Sequence, residues 1–115
     1  MPPEARDKAL LFDMPRSAHD AVSFLGEVSF DDFKQNAILV AAIERKVEIV
    51  GEAARSVSAR FKEGHPEIAW RKIVTSRHIL AHDYDEVDHE ILYRIVLDHL
   101  PPLIDRLQEL LAEPD

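Results

Sequence analysis

The chain has 115 residues, enough for one domain with a single core, and we expect one domain over residues 1–115. Its 22 acidic and 14 basic side chains give a formal charge of -8, which argues against general electrostatic binding of nucleic acid or an anionic membrane. The absence of cysteine excludes disulfides and thiolate metal sites and favours an intracellular location, here the cytoplasm. No apolar run approaches the roughly 20 residues that span a bilayer, and the charged N-terminus differs from a signal peptide. We therefore expect a soluble, unprocessed protein that binds any polyanion at a local basic site.

The N-terminal segment has the periodicity of an amphipathic helix. The chain has only three glycines, too few for a sheet protein with many tight turns or for a phosphate-binding loop. Apolar residues recur at three- and four-residue steps and predict a first helix that ends near Gly26: Leu11, Met14, Ala18, Ala21, Val22 and Leu25. Pro15 lies inside this pattern and either kinks the helix or begins it, and we favour a kink.

The next segment predicts a long helix. Ser29 is a capping residue followed by two acids, and no proline interrupts the chain from there to about Phe61. The sequence thus predicts one long helix, or a long helix with a short helical prelude. Its apolar arc covers about half the circumference, so we expect burial on two sides. The arc contains Leu39, Ile43, Val47, Val50, Ala54, Val57 and Phe61, flanked by Ile38, Ala42, Ile49 and Ala53.

Two further helices complete the predicted architecture. The break at Gly64-His65-Pro66 precedes a third helix from about Glu67 to Ala81 or His82. After an acidic turn over residues 83–88, a fourth helix contains Pro101-Pro102, which forces a kink or a restart. The tail, residues 112–115, is expected to fray. The fold class predicted is an all-α antiparallel bundle of four to five helices with a kinked last helix.

Arg77 occupies an unusual position in the third helix. It falls in the middle of the apolar face formed by Trp70, Ile73, Val74, Leu80 and Ala81. A guanidinium cannot lose its charge and is costly to bury unpaired. Arg77 therefore either pairs with an acidic residue or lines a cleft open to an anionic ligand, and the sequence leaves both alternatives open.

His82 follows Arg77 by five residues and supplies a group that titrates near neutrality. An imidazole that moves a proton, beside a guanidinium that binds a phosphodiester, suffices for metal-independent RNA cleavage in which the ribose 2′-hydroxyl attacks the phosphate. The alternative is a zinc site, since His78 and His82 stand four residues apart on one helical face. Further ligands at a recognisable spacing are missing, so we expect no metal.

The segment Arg77-x4-His82-x-Tyr84 resembles the R-x4-H-x-Y motif of HepT-like toxins, a branch of the HEPN superfamily of helical RNases. The resemblance extends from about residue 9 to residue 111 and includes Ala42-Ile-Glu-Arg45, Glu48-Ile-Val-Gly-Glu-Ala-Ala54, Ile68-Ala-Trp70-Arg71 and Leu100-Pro101. It implies a HEPN-type bundle, no cofactor, and a homodimer in which two Arg/His motifs face each other across a composite RNase site.

The resemblance also implies roles for individual residues. Arg77 would bind and polarise the scissile phosphate, and His82 would act as general base or acid. His78 would orient the phosphate or simply pack. Tyr84 matches a tyrosine that a cognate minimal nucleotidyltransferase antitoxin can modify with AMP, and a bulky adenylate there would block the cleft. The alternative for Tyr84 is an aromatic residue at a helix end that packs on the core.

Local charge agrees with a site in the third helix. Residues 60–82 carry five basic and two acidic side chains, and Arg71 and Lys72 in this segment are candidate RNA-phosphate ligands. Residues 83–115 carry ten acidic and two basic side chains and suit a partner with a basic surface. The leading hypothesis is an RNA endonuclease toxin held in check by a nucleotidyltransferase antitoxin. The alternative is a catalytically silent HEPN subunit that serves as a scaffold for such a nucleotidyltransferase.

Overall fold

The structure, a computed structural model, describes residues 5–74 and 88–112. Over these residues the regular secondary structure is helical, which confirms the predicted all-α bundle. The helices are α1 (Ala5–Leu25), α2 (Phe30–Gln35), α3 (Ala37–Ser56), α4 (Ala59–Gly64), α5 (His89–Arg94) and α6 (Leu100–Ala112). A π-helical turn, Ile95–His99, joins α5 to α6, and residues 70–74 are also helical.

Helix α1 ends where the sequence predicts. Gly26 has a φ of 52°, the left-handed conformation that glycine adopts without a Cβ penalty, and its N–H donates to the Val22 carbonyl at 3.0 Å. Pro15 is buried in the interior of the helix, so it does not begin α1. Because proline has no N–H, the carbonyl of Leu11 has no partner at that position of the ladder.

The predicted long helix is divided into three. The short prelude is confirmed as α2, where the Ser29 side chain accepts a hydrogen bond from the N–H of Asp32. Asn36 separates α2 from α3, because its N–H caps the Phe33 carbonyl while its side chain accepts from the Leu39 N–H. The expectation that the helix continues to Phe61 is wrong: Val57 and Ser58 are extended, and Ser58 caps the new helix α4.

A tertiary contact explains this early end of α3. Asp7 of α1 is buried, and its two carboxylate oxygens accept from the N–H of Ser58 at 2.9 Å and from the Ser58 hydroxyl at 2.5 Å. The hydroxyl oxygen in turn accepts from the Phe61 N–H at 3.2 Å. Asp7 thereby orients the serine that caps α4. The contact also links α1 to the junction between α3 and α4.

The core lies where α1 packs against α3 and α6. Most of the predicted apolar arc of α3 is buried or half-buried, but Ile38 is 85% exposed because it lies in the first turn, ahead of the first buried residue, Val40. The largest fully buried side chains come from both halves of the chain: Phe33, Leu11, Met14, Leu25, Ile43, Leu92, Leu107, Val50 and Val96. These side chains therefore form one hydrophobic core that joins the two halves of the chain.

The last helical segment, residues 89–112, changes from α-helical to π-helical geometry just before the predicted proline pair. Asp88 caps α5, with its side chain accepting from the Ile91 N–H at 3.0 Å. Pro101 and Pro102 cannot donate to the carbonyls of the preceding turn and would clash with them. The π-helical turn directly before them accommodates this loss, and within it the N–H of Leu100 reaches back to the Ile95 carbonyl.

Two boundary predictions fall partly outside the described residues. The third helix begins at Trp70 rather than at Glu67, since residues 66–69 form a turn, and its predicted end lies beyond residue 74. The predicted frayed tail also lies outside, apart from Ala112, which is the last residue of α6. Within residues 5–74 and 88–112, no helix combines the length and apolar character required to cross a membrane.

Candidate functional site

A cleft of about 800 Å³ lies between residues 67–73, helix α3 and the last helical segment. Its volume falls in the roughly 300–1,000 Å³ range that is common for small-molecule sites. Three separate parts of the chain supply an apolar floor: Val47 and Val50 from α3, Ile68 and Ile73 from the segment before the described gap, and Ile95, Leu100 and Leu103 from the last helical segment.

The rim of this cleft carries charged side chains. Arg71 and Lys72 are exposed on one wall, and Arg94 of α5 lies on another. Arg71 makes no ion pair within residues 5–74 and 88–112. Arg94 lies 3.7 Å from Asp98, a separation at which an exposed pair contributes little. The cleft therefore presents two guanidinium groups to solvent from two different elements.

A second arginine of the last helical segment is engaged by the chain itself. Arg106 donates from Nη2 to Oε1 of Glu67 at 2.7 Å and from Nε to the same oxygen at 3.2 Å, while its Nη1 donates to Glu109 at 2.8 Å. The hydrogen bond from Arg106 is the largest cause of a lowered Glu67 pKa, about 2 against an ordinary 4.5. These contacts connect the turn before Trp70 to α6 and fix one wall of the cleft.

Helix α5 is held in place by polar and aromatic contacts. The Tyr93 hydroxyl donates to the Val28 carbonyl at 2.8 Å, and its ring packs against Phe33 with a centroid distance of 5.4 Å. On the neighbouring face, burial raises the pKa of Glu44, with a further rise from the charge of Glu48 and an opposing effect from His89. Arg94 thus projects from a helix that Tyr93 anchors to Val28 and Phe33.

The structure locates part of the site predicted from the sequence. Arg71 and Lys72 lie on the rim of the cleft. Arg77, His78, His82 and Tyr84 lie outside the described residues. The described chain on each side of them, at Ile73 and at Asp88, lines the cleft.

Sequence reasoning missed three basic residues that contribute to the cleft: Arg94, His99 and Arg106. Arg106 and its partner Glu67 are separated by 39 residues, so no local pattern connects them. Arg94 and Arg106 are the two basic residues in an otherwise acidic C-terminal third, and that isolation was the available signal. Over the described residues, no group of three or more His, Asp or Glu side chains is arranged to hold a metal ion.

Comparison with known proteins gives consistent matches. A family model described as "Ribonuclease HepT-like" matches residues 14–110. The chain is 34% identical over 96 residues to "Putative RNase MJ1380" of Methanocaldococcus jannaschii, which covers 84% of this chain and 88% of that protein. It is 33% identical over 103 residues to "Probable ribonuclease HepT" of Thermococcus cleftensis, which covers 90% of this chain and 94% of that protein. No solved structure matches.

Proposed function

The chain belongs to the HepT-like ribonuclease family, and from this membership we propose that it is a metal-independent RNA endonuclease. It acts in the cytoplasm as the toxin of a toxin–antitoxin pair and is neutralised by a cognate minimal nucleotidyltransferase antitoxin. The observation that carries the proposal is the position of the motif: Arg77, His82 and Tyr84 fall inside the family match, and the chain flanking them lines a cleft with a cationic rim.

The proposed chemistry needs only side chains of this protein and water. Arg77 binds the scissile phosphate and stabilises the negative charge that develops on its oxygens in the transition state. His82 moves one of the two protons, taking it from the attacking 2′-hydroxyl or giving it to the departing 5′-oxygen, and water exchanges the other. The 2′-oxygen forms a bond to phosphorus as the bond to the 5′-oxygen breaks, which leaves a cyclic phosphate and a free 5′-hydroxyl. Arg71, Lys72 and His78 bind neighbouring phosphates.

Expression of the chain alone tests the nuclease. The wild type should arrest growth and cleave RNA in EDTA, whereas Arg77→Ala and His82→Ala should lose about 100-fold or more of the cleavage rate. Arg45→Ala and His19→Ala are matched controls on exposed positions away from the cleft, and they should cleave as the wild type does.

Two outcomes would contradict this mechanism. If wild type and variants are equally harmless and leave RNA intact, the nuclease proposal fails and a silent scaffold subunit is the better account. If activity disappears in EDTA and zinc restores it, a metal site using His78 and His82 replaces the metal-independent mechanism.

We further propose that the active form is a homodimer whose two motifs share one cleft. Homodimers with two-fold symmetry are the commonest oligomers of soluble proteins. Mass measurement of the purified wild type in solution should give twice the monomer mass of 13.1 kDa. A monomer with full nuclease activity would exclude the shared site.

Tyr84 is the proposed point of control by the antitoxin. An adenylate two residues from His82 would add a bulky anion that blocks the cleft and repels RNA phosphate. Incubation with the partner and ATP should therefore add AMP to the wild type, as read by intact mass, and none to Tyr84→Phe. Loss of RNA cleavage should accompany the added mass, and an unmodified wild type would remove this part of the proposal.

A further inference from the structure

We propose that the cleft holds one unpaired nucleotide of the RNA, with its base on the apolar floor and its flanking phosphates on Arg71 and Arg94. This inference rests on the proposed function, and it adds a base-binding site built from residues outside the Arg77–Tyr84 motif. It also assigns the substrate class, because a base can enter the cleft only from a single strand or an unpaired loop.

The floor of the cleft has the chemistry that a base requires. Its apolar side chains come from three elements that are fixed by the core and by the Glu67–Arg106 contact. Nucleobases taken out of a stack are held between apolar or aromatic side chains. A volume of about 800 Å³ accommodates a nucleotide.

The rim complements the backbone of the same nucleotide. Arg71 makes no ion pair with any described residue. The Arg94 side chain is 63% exposed, and its Nη1 lies 3.7 Å from Oδ2 of Asp98. Each guanidinium can bind a phosphate through two parallel hydrogen bonds. Arg71 and Arg94 line the same cleft from two different parts of the chain, so we expect one strand crossing the cleft to contact both.

The other charges on the rim define the path of the strand. Arg106 is occupied by Glu67 and Glu109, so it does not compete for phosphate. Asp88 and Glu90 form an acidic end of the cleft, which repels phosphate. The backbone is thereby directed toward Arg71 and Arg94.

A binding experiment with RNA that cannot be cleaved tests this site on the wild-type chain. A labelled 2′-O-methyl octaribonucleotide lacks the nucleophile, and its affinity is compared with that of an abasic octamer of the same backbone and charge. We expect the abasic octamer to bind about tenfold more weakly, and a blunt duplex of the same sequence to bind no better than the abasic strand.

Ile91 offers a substitution with little folding cost, since it lines the cleft and is 38% exposed. Ile91→Ser should weaken binding of the octamer and leave binding of the abasic strand unchanged. The matched control is Leu97→Ser in the neighbouring π-helical turn, which is 43% exposed and does not line the cleft. It should bind both strands as the wild type does.

Arg94→Gln should weaken binding of the octamer and of the abasic octamer equally, because it removes a phosphate contact rather than a base contact. Its control is Arg45→Gln, whose side chain is 65% exposed and lies 3.5 Å from Glu48 in a comparable pair outside the cleft. This control should retain the affinity of the wild type for both strands.

Several results would overturn the base-binding site. Equal affinity for the base-containing and abasic strands would do so, as would the absence of any binding. If Ile91→Ser instead lowers self-association or antitoxin binding and the base dependence is unchanged, the cleft is a protein interface. A chain that cleaves RNA without base dependence refutes this inference alone, whereas base-dependent binding without cleavage refutes the proposed nuclease alone.

Discussion

The contact between Glu67 and Arg106 makes the stability of the cleft wall depend on pH. The folded pKa of Glu67, about 2, lies below the ordinary 4.5 chiefly because Arg106 donates to the charged carboxylate. The stabilisation is therefore fully present above about pH 4.5 and is lost as the pH falls through about 2. Glu67→Gln should be less stable than the wild type at neutral pH, and this difference should shrink between pH 4.5 and pH 2 in urea unfolding experiments.

Glu63→Gln is the matched control for this residue. Glu63 is exposed in α4, close in sequence to Glu67, and has no ion pair with any described residue. The free energy of unfolding of Glu63→Gln should differ little from that of the wild type at every pH. A Glu67→Gln difference that is equally constant between pH 4.5 and pH 2 would show that the Arg106 contact does not stabilise the charged form.

At the level of whole helices, the junction of α3 and α4 depends on Asp7. Ser58→Ala removes both the acceptor for the Phe61 N–H and the donor to the buried Asp7 carboxylate. A lost cap costs about 1 kcal/mol, and the loss of the hydroxyl donor to one oxygen of the buried Asp7 carboxylate adds to this, although the Ser58 N–H still donates to the other oxygen. We expect Ser58→Ala to lower the free energy of unfolding by about 2 kcal/mol in urea at pH 7.

Ser29→Ala provides the comparison, because Ser29 caps α2 at an exposed position without a carboxylate partner. Ser29→Ala should lower the free energy of unfolding by about 1 kcal/mol, the ordinary value for a serine cap. If the two substitutions cost the same, Asp7 does not strengthen the α4 cap.

The same junction illustrates what the sequence could predict about the helices. The end of α1 at Gly26 and the interruption near Pro101 follow from local backbone chemistry, and both are found. The end of α3 depends on an aspartate 51 residues away, which no periodicity can indicate. Ser58 and Asn36 are of residue types that cap helices, but each stands within a long apolar pattern that favours one continuous helix.

For the site, sequence reasoning found residues that are close together in the chain. The motif from Arg77 to Tyr84 and the basic pair Arg71 and Lys72 can be recognised from composition and spacing. Arg94 joins the cleft because the last helical segment folds back against residues 67–73. That relation is tertiary, and the isolation of Arg94 among acidic residues was the one local signal of it.

For the whole molecule, a net charge of -8 argues against general electrostatic binding of RNA, so the proposed RNA contacts are confined to the cleft. Affinity for a single strand should fall with salt by about 0.7 in log K per log unit for each phosphate that is neutralised. Arg71→Gln should reduce this slope by about 0.7, as measured by titrations of the 2′-O-methyl octamer at several salt concentrations.

Arg60→Gln is the control for Arg71. Arg60 is exposed and belongs to the same basic stretch of sequence, but it does not line the cleft. Its slope should equal that of the wild type. Equal reductions for both variants would mean that RNA responds to the overall basicity of residues 60–82 rather than to contacts in the cleft.

The π-helical turn sets the rotation of α6 about its axis. Four buried residues of this segment are spaced four apart: Leu92, Val96, Leu100 and Ile104. In a regular α-helix, each step of four residues would rotate the next side chain about 40° further around the helix axis. The wider turn at Ile95–His99 takes up part of this drift, as if one residue had been inserted there. Deletion of a single residue in that turn would restore regular helix and turn the face bearing Arg106 by about 100° away from Glu67. The length of this short segment therefore determines which side of α6 meets the cleft.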